Sequence, residues 1–185
     1  MNVFDFDGTL YRGDSSVDFY FYCLFRYPWI ALCLPYQVLF IIIYKYGFCS
    51  KEMEKSAFFS FLRLIPNPKG IVEQFWNKYI KRITDWYYHI QRKDDVIISA
   101  SPEFLIFQAC KMLGVKNVIA SKVDISTGLF LGKNCYGEEK VKRFKGCFPK
   151  EDVSAFYSDS RTDSPMALIA KKAYFVKKYT IISNW

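Results

Sequence analysis

Two carboxylates near the start of the chain, Asp5 and Asp7, are the first residues with the means to do chemistry. They lie in the stretch Val-Phe-Asp-Phe-Asp-Gly-Thr-Leu at residues 3–10, whose apolar start is typical of a short buried strand. Residues two apart on a strand point to the same face, so the two carboxylates can converge where the strand ends. Carboxylates that close repel each other unless a cation lies between them or one is protonated. A bound Mg²⁺ would let Asp5 attack phosphorus, and a protonated Asp7 could give a proton to a leaving oxygen.

The pattern Asp-x-Asp-Gly-Thr at residues 5–9 resembles the first motif of the haloacid dehalogenase superfamily. It resembles specifically the phosphatases of that superfamily, because the dehalogenases lack the second aspartate. The resemblance implies that Asp5 becomes an aspartyl-phosphate and that Asp7 is the general acid and base. It also implies that Mg²⁺ is bound by the Asp5 carboxylate and the Asp7 backbone carbonyl. Taken alone, the octamer also fits an acidic turn without a function.

A second polar group follows the predicted strand Val96–Ile98, where Ser-Ala-Ser-Pro precedes a predicted helix from Glu103 to Leu113. A hydroxyl at a strand end beside a helix N-terminus can bind a phosphate oxygen together with a backbone N–H. We therefore expect Ser99 and Ala100 to bind phosphate and Ser101 to cap the helix. The superfamily's second motif is a Ser or Thr at this place. Phosphoserine phosphatases follow it with two glycines, which this chain lacks.

Lys140 lies at the start of a predicted helix that runs through Phe144. The superfamily's third motif is a lysine at such a helix start, so the resemblance implies that Lys140 neutralises charge on Asp5 and on the phosphate. An ordinary solvated lysine is the alternative.

Two acids four residues apart, Asp159 and Asp163, follow the predicted strand Val153–Tyr157. This spacing fits a metal-binding loop, with a capped turn as the alternative. The superfamily's fourth motif implies that Asp159 completes the Mg²⁺ site and that Asp163 holds a metal-bound water or Lys140. Asp14 fits an acidic position that the phosphoserine phosphatase-like branch of the superfamily often has after the first motif. It is predicted either to contact the substrate or to cap a helix.

The four motifs each follow a predicted strand or open a predicted helix. In a doubly wound sheet, the carboxyl ends of the strands gather at one edge, where ligands bind. The sequence therefore predicts an α/β fold, a Rossmann-like doubly wound parallel sheet with an inserted all-helical cap. We assign residues 1–11 and 93–185 to a discontinuous catalytic core and residues 12–92 to the cap.

The predicted cap is basic, aromatic and partly apolar. Of the 26 Lys and Arg residues, 12 lie between Arg12 and Lys93 with only 6 acidic residues, and so do 21 of the 36 aromatic residues. Residues 27–44 carry no charge and contain Pro28 and Pro35, which favours a kink or two short helices. A single membrane crossing would separate Asp5 from the later motifs. We therefore expect this segment to lie on, or shallowly in, an anionic membrane surface, with the buried core of a soluble cap as the alternative.

Several classes of function are disfavoured by composition. The six cysteines have no Cys-x-x-Cys spacing, which favours reduced thiols in the cytoplasm, and a single histidine leaves no His-based relay. There is no secretory signal and no basic run of five or more, so we expect no nucleic acid among the partners. No obligate protein partner is inferred. We expect the protein in the cytoplasm, at the cytoplasmic face of the membrane.

Short stretches also resemble phosphatidylglycerophosphatases of the haloacid dehalogenase type: 32–44, 99–102, 119–121, 137–141 and 157–160. The function predicted is an Mg²⁺-dependent phosphomonoester hydrolase that forms an aspartyl-phosphate on Asp5 and acts on a membrane lipid phosphate such as phosphatidylglycerophosphate. The first alternative is a soluble phosphoserine phosphatase-like enzyme for a small metabolite. The second is a non-catalytic membrane-associated interaction protein on the same scaffold.

Overall fold

The computed structural model describes the backbone of residues 1–185 and every side chain except those of residues 182–184. The described residues form a six-stranded sheet in the order β3-β2-β1-β4-β5-β6. All neighbouring strands are parallel except β5 and β6, which are antiparallel. The predicted α/β class with a mostly parallel sheet is therefore confirmed. The strands are β1 (Asn2–Phe4), β2 (Val96–Pro102), β3 (Asn117–Ser121), β4 (Ala155–Ser158), β5 (Ala173–Lys177) and β6 (Thr180–Asn184).

Strand β1 is short but central, and it places the first aspartate. It pairs with β2 through Val3 and Val96 and with β4 through Val3 and Phe156. Val3 and Phe4 are fully buried in apolar clusters on the two sides of the sheet, as expected for a parallel strand covered on both faces. The Asp5 N–H then donates to the Tyr157 carbonyl oxygen at 2.9 Å, which fixes the residue at the centre of the sheet edge.

Three helices of the core follow β2, β3 and β4. Helix α6 ends at Gly114, whose φ of 72° is the left-handed conformation that favours glycine at a helix end. Helix α7 begins two residues before Lys140, so that lysine lies in its first turn. Helix α8 is short and ends at Ile169. The three helices are α6 (Glu103–Leu113), α7 (Glu138–Cys147) and α8 (Ser164–Ile169).

The named elements of residues 15–90 are all helices, joined by short turns, with no named strand among them. Ser50 caps α3, because its hydroxyl accepts from the Met53 N–H at 3.2 Å. Pro28 and Pro35 divide the charge-free run as predicted, because a 3₁₀ helix at Pro28–Cys33 precedes a separate α-helix. The helices are α1 (Ser15–Arg26), α2 (Leu34–Lys45), α3 (Lys51–Phe58), α4 (Pro68–Tyr79) and α5 (Asp85–Ile90), with further 3₁₀ turns at Phe59–Leu64 and Ile80–Arg82.

These helices pack directly on the sheet. One apolar cluster contains Phe4 of β1, Phe19 of α1, Trp76 of α4 and Leu105 of α6. The Trp76 indole N–H also donates to the Leu105 carbonyl oxygen at 2.7 Å. The helical segment thus shares its core with the sheet, while its assignment as a separate domain stays a prediction.

Helix α2 is the exception, because its apolar side chains face away from this core. Its only buried residue is Gln37, which accepts from the Tyr20 hydroxyl at 3.2 Å and donates to the Phe58 carbonyl at 2.8 Å. Pro28–Lys45 has the length and composition of a membrane-spanning segment, with a mean hydropathy of 1.5 and 11% of it buried, but it is divided between a 3₁₀ helix and the 12-residue α2. The charge-free run therefore does not form the core of the helical segment.

Candidate active site

Asp5, Lys140 and Asp163 form a buried ionic cluster at the carboxyl edge of the sheet. The Lys140 Nζ lies 2.7 Å from Asp5 Oδ1 and 2.7 Å from Asp163 Oδ2. Burial raises the pKa of Asp5 to about 7 against the attraction of Lys140, and Asp163 and Asp159 raise it further. Burial acts to lower the pKa of Lys140, but the two adjacent carboxylates outweigh it and raise that pKa above its usual value. Lys140 therefore stays a cation and holds Asp5 in place.

Ser158 supports this cluster from the end of β4. Its hydroxyl donates to Asp163 Oδ2 at 2.8 Å and accepts from the Ser160 N–H at 3.1 Å. The other oxygen of Asp163, Oδ1, is buried and has no hydrogen-bond partner among the described residues. Ser158 is a site residue that the sequence analysis did not identify, because the Asp163 contact that gives it a role is visible only in the fold.

Asp7 is held by two donors at the opposite side of the site. Its Oδ1 accepts from the Ser15 N–H at 2.6 Å, and its Oδ2 accepts from the Ser101 hydroxyl at 2.5 Å. Burial raises the pKa of Asp7 to about 6, Asp14 raises it further, and the two hydrogen bonds oppose the rise. Near neutral pH, this carboxyl can therefore change between its acid and base forms.

The prediction that Ser101 caps a helix is wrong. Helix α6 begins at Glu103, and Pro102 occupies the capping position without any side-chain hydrogen bond. The Ser101 hydroxyl instead reaches Asp7 and lies 3.0 Å from the Ser16 hydroxyl. Strand β2 extends through this stretch with a shift in register, which turns the side chain toward the first motif.

Ser99 and Ala100 lie where the phosphate-binding prediction places them. The Ser99 hydroxyl is buried and accepts from the Ser101 N–H at 3.0 Å. Both residues line a cavity of about 390 Å³. The same cavity is lined by the predicted site residues Asp5, Asp7, Asp14, Lys140 and Asp163. The fold thus brings together seven of the eight site residues predicted from the sequence.

Asp159 is the eighth predicted residue and lies beside this cavity rather than in its lining. Its N–H donates to the Thr9 hydroxyl at 3.0 Å, which ties its loop to the first motif. Its carboxylate lies over Gly8, where an added Cβ would be 2.0 Å from Asp159 Oδ2. Gly8 also has a φ of +74°, so both the backbone and this close approach require glycine.

The oxygen atoms at this edge fit a hard divalent cation. Mg²⁺ is bound in proteins through one or two carboxylates with several waters. No cluster of three or more His, Cys, Asp or Glu side chains with metal-binding geometry occurs among the described residues. A site made from the carboxylates of Asp5 and Asp159 and the carbonyl of Asp7 does not need a third acidic side chain. The repulsion of Asp159 and Asp163 on Asp5 further favours a cation there.

Asp14 caps α1, as one of its two predictions stated. Its Oδ1 accepts from the Ser16 N–H at 2.9 Å and from the Val17 N–H at 3.0 Å. It also lines the cavity with Asp7, so contact with a substrate stays a prediction.

Lys55 is a site residue that sequence reasoning missed. It comes from α3 of the helical segment, and its Nζ donates to the Ala100 carbonyl and to Asn134 Oδ1, each at 3.0 Å. It lines the cavity that contains Asp5. Nothing in the spacing of α3 marks this lysine among the other cations of the segment.

Comparison with known proteins decides the family. The sequence model of the haloacid dehalogenase-like hydrolase family matches residues 3–168, which include all four motifs. The chain belongs to the haloacid dehalogenase-like hydrolase family. This confirms the resemblance inferred from the motifs. A probable phosphatase of Mycobacterium tuberculosis strain H37Rv is 33% identical over 82 residues, which are 40% of this chain and 28% of that protein.

Several solved structures share this fold at low sequence identity. A protein from Bordetella pertussis Tohama I, described as of unknown function, has a TM-score of 0.75 at 19% identity, covering 95% of this chain and 89% of that one. A phosphoserine phosphohydrolase-like protein from Francisella tularensis has a TM-score of 0.57 at 19% identity, covering 97% and 89%. The resemblance to phosphatidylglycerophosphatases stays a prediction.

Proposed function

We propose that this protein is an Mg²⁺-dependent phosphomonoester hydrolase that forms an aspartyl-phosphate on Asp5. One observation carries the proposal: Asp5, held by a buried lysine, shares a cavity with Asp7, whose pKa is raised to about 6. A nucleophile and a proton donor of this kind at one site suit attack on phosphorus and protonation of a leaving oxygen. Membership of the hydrolase family supports this chemistry.

The proposed reaction has two steps. Lys140 holds Asp5 Oδ1, so Oδ2 is the oxygen free to attack phosphorus. As the Asp5 oxygen bonds to phosphorus, the ester oxygen leaves and takes a proton from Asp7. In the second step, Asp7 accepts a proton from a water molecule that attacks the aspartyl-phosphate, which releases inorganic phosphate and restores Asp5.

The remaining residues bind the phosphate and the metal in this proposal. Ser99 and the backbone of Ala100 hold phosphate oxygens, and Lys140 neutralises part of the charge. When bound by Asp5, Asp159 and the Asp7 carbonyl, Mg²⁺ supplies charge stabilisation for the phosphoryl group.

Hydrolysis of p-nitrophenyl phosphate with and without Mg²⁺ tests the proposal. Asp5→Asn should abolish turnover, because an amide cannot attack phosphorus, and beryllium fluoride should modify Asp5 in the unaltered protein. A chain that hydrolyses no phosphomonoester with Mg²⁺ would instead support the non-catalytic alternative. Activity of Asp5→Asn at a percent or more of the unaltered protein would refute the covalent step.

We further propose that the substrate is a membrane lipid phosphate such as phosphatidylglycerophosphate. Most of the large apolar side chains of 25–48 are exposed, although Ile30 is buried, and Phe25, Leu32 and Phe48 are 85%, 79% and 81% accessible. Tyr44 at the end of α2 lines a cleft of about 880 Å³ that shares Lys55 with the Asp5 cavity. An apolar surface beside a polar catalytic cavity suits a substrate with apolar chains and a phosphate headgroup.

We propose that this surface lies on the cytoplasmic face of an anionic membrane without crossing it. Helix α2 has 12 residues, about 18 Å of helix, whereas the apolar layer of a bilayer is roughly 30 Å thick. Apolar side chains that enter the interface add about 25 cal/mol per Å² removed from water, and each nearby lysine adds about 1 kcal/mol. The second contribution is screened by salt, whereas the first is not.

Vesicle binding tests the membrane proposal. The protein should bind vesicles that contain anionic lipid, and high salt should weaken binding without abolishing it. Ile41 and Ile42 are 52% and 47% exposed, so Ile41→Glu with Ile42→Glu is compatible with folding. The double variant should lose vesicle binding and lipid-phosphate hydrolysis far more than p-nitrophenyl phosphate hydrolysis. A protein that ignores vesicles and prefers small phosphomonoesters would support the soluble phosphoserine phosphatase-like alternative, which the shared fold favours.

A further inference from the structure

Lys55 is a cation at the catalytic cavity whose charge is not paired. Its ammonium donates to two neutral oxygens, the Ala100 carbonyl and Asn134 Oδ1, and among the residues whose side chains are described no carboxylate lies within 4 Å of it. Its neighbour Lys51 differs, because its ammonium lies 2.9 Å from Glu54. Burial, and then the charge of Lys51, lower the pKa of Lys55, and the more distant carboxylates of the cavity oppose this fall only in part.

A buried polar network holds Lys55 in this position. Asn134 Oδ1 accepts from Lys55 at 3.0 Å and from the Ser121 hydroxyl at 3.1 Å. The Ser121 hydroxyl also lies 3.0 Å from the Ala100 carbonyl, and the Asn134 N–H donates to Glu52 at 2.9 Å. The network therefore joins helix α3 to the residue beside the predicted phosphate-binding serine. Because Asn134 is neutral, it orients the ammonium without cancelling its charge.

Neither of the other two cations at the cavity, Lys51 and Lys140, can supply a second binding site, since the charge of Lys51 is paired with Glu54. Lys140 is shared between two carboxylates at 2.7 Å each, and its charge is needed at Asp5. Lys55 lines both the Asp5 cavity and the wider cleft of about 880 Å³, which is also lined by Lys133 and Lys142. An anionic group attached to the same substrate could therefore reach Lys55 while the phosphomonoester lies at Asp5.

We propose that Lys55 binds a second anionic group of the substrate, and that Asn134 is a positioning residue that keeps the Lys55 ammonium in place and charged. The inference rests on the proposed hydrolase function and adds a selectivity for substrates with two anionic groups. The group is either a phosphodiester or a carboxylate, since both offer the oxygens that an ammonium binds.

Four substrates separate these possibilities. Dihexanoyl phosphatidate and p-nitrophenyl phosphate have the phosphomonoester alone, with and without acyl chains. Dihexanoyl phosphatidylglycerophosphate adds a phosphodiester, and phosphoserine adds a carboxylate. The quantity measured is the ratio of kcat/KM for a two-anion substrate to that for its one-anion partner. A protein inactive on all four substrates would refute the hydrolase proposal itself, whereas ratios that Lys55→Met leaves unchanged would refute only the role of Lys55.

Lys55→Met should lower the ratio roughly 10- to 100-fold, as expected for loss of a hydrogen bond between charged groups. Lys51→Met is the matched control from the same helix and cavity, and should change the ratio less than about threefold because its charge is already paired. An equal fall in kcat/KM for every substrate of Lys55→Met would refute the proposal, because Lys55 would then act only through the Ala100 loop.

Asn134→Asp gives a second test that keeps the shape of the side chain. The new carboxylate would pair with Lys55, so the ratio should fall roughly tenfold through a higher KM for the two-anion substrate. An unchanged ratio in a folded Asn134→Asp protein would refute the positioning role. This variant also keeps the proposal testable if Lys55→Met does not fold.

Discussion

Replacement of Ser101 by alanine tests whether this serine orients Asp7, as in the structure, or caps a helix, as the local sequence predicts. The Ser101 hydroxyl is 2.5 Å from Asp7 Oδ2, and the residue is only 7% exposed. Ser101→Ala removes this donor and leaves the Asp7 carboxylate with the Ser15 N–H on its other oxygen. The carboxylate then loses the contact that fixes one of its two oxygens in the cavity.

The expected effect follows from the strength of that hydrogen bond. A hydrogen bond to a charged group contributes about 1.5–3 kcal/mol, and 1.36 kcal/mol corresponds to a tenfold change in rate. If Asp7 must be oriented to exchange protons with the substrate, kcat should fall roughly 10- to 100-fold. A helix cap, in contrast, would cost about 1 kcal/mol of folding free energy and leave kcat nearly unchanged.

Steady-state hydrolysis of p-nitrophenyl phosphate and thermal unfolding should be measured on the same samples. Ser50→Ala is the matched control, because Ser50 does cap a helix through the Met53 N–H at 3.2 Å. That control should lower stability by about 1 kcal/mol with kcat retained. If Ser101→Ala instead behaves like Ser50→Ala, and keeps more than half of its kcat, Ser101 does not orient Asp7.

Three further variants test separate parts of the structure. Asp159→Ala should raise the Mg²⁺ concentration for half-maximal activity at least roughly tenfold, and an unchanged value would exclude Asp159 as a ligand. Gly8→Ala should lower the melting temperature, because alanine is strained at a φ of +74° and its Cβ would displace the Asp159 carboxylate. Burial raises the pKa of Asp95 to about 6, so the folded protein binds the extra proton and stability should fall as pH rises from about 4 to 6. Asp95→Asn should remove that fall and stabilise the protein at pH 7 by on the order of 2 kcal/mol, as measured by denaturant unfolding.

The residues at strand ends could be predicted from the sequence because parallel topology leaves little choice. Once β1, β2 and β4 are parallel neighbours, the residues after them meet at one edge. Asp5, Ser99 and Asp163 were therefore correctly expected to share a site. This argument needs only the order of the strands and the residues that follow each one.

Side-chain partners from distant parts of the chain could not be predicted in this way. The local pattern Ser101-Pro102 before a helix favours a cap, but its real partner, Asp7, is 94 residues away. Lys55 raises the same difficulty, since Ala100 is 45 residues from it. The spacing of residues along the chain indicates only partners that are close in sequence. Ser101 instead donates to the distant Asp7 carboxylate and does not cap the helix.

The charge-free run shows a different limit of prediction from the sequence. Hydropathy measures how apolar a segment is, but it does not indicate whether its apolar side chains face the core or the solvent. Helix α2 turns Gln37 inward, where its amide has two partners, and leaves its apolar side chains outward. An exposed apolar surface of this kind on a soluble monomer is unusual and marks an interaction site. The insertion leaves the sheet after β1 and returns at β2, so α2 and α3 lie above the catalytic edge. The apolar surface and Lys55 therefore flank one cleft, as our proposal of a lipid substrate with an anionic headgroup expects.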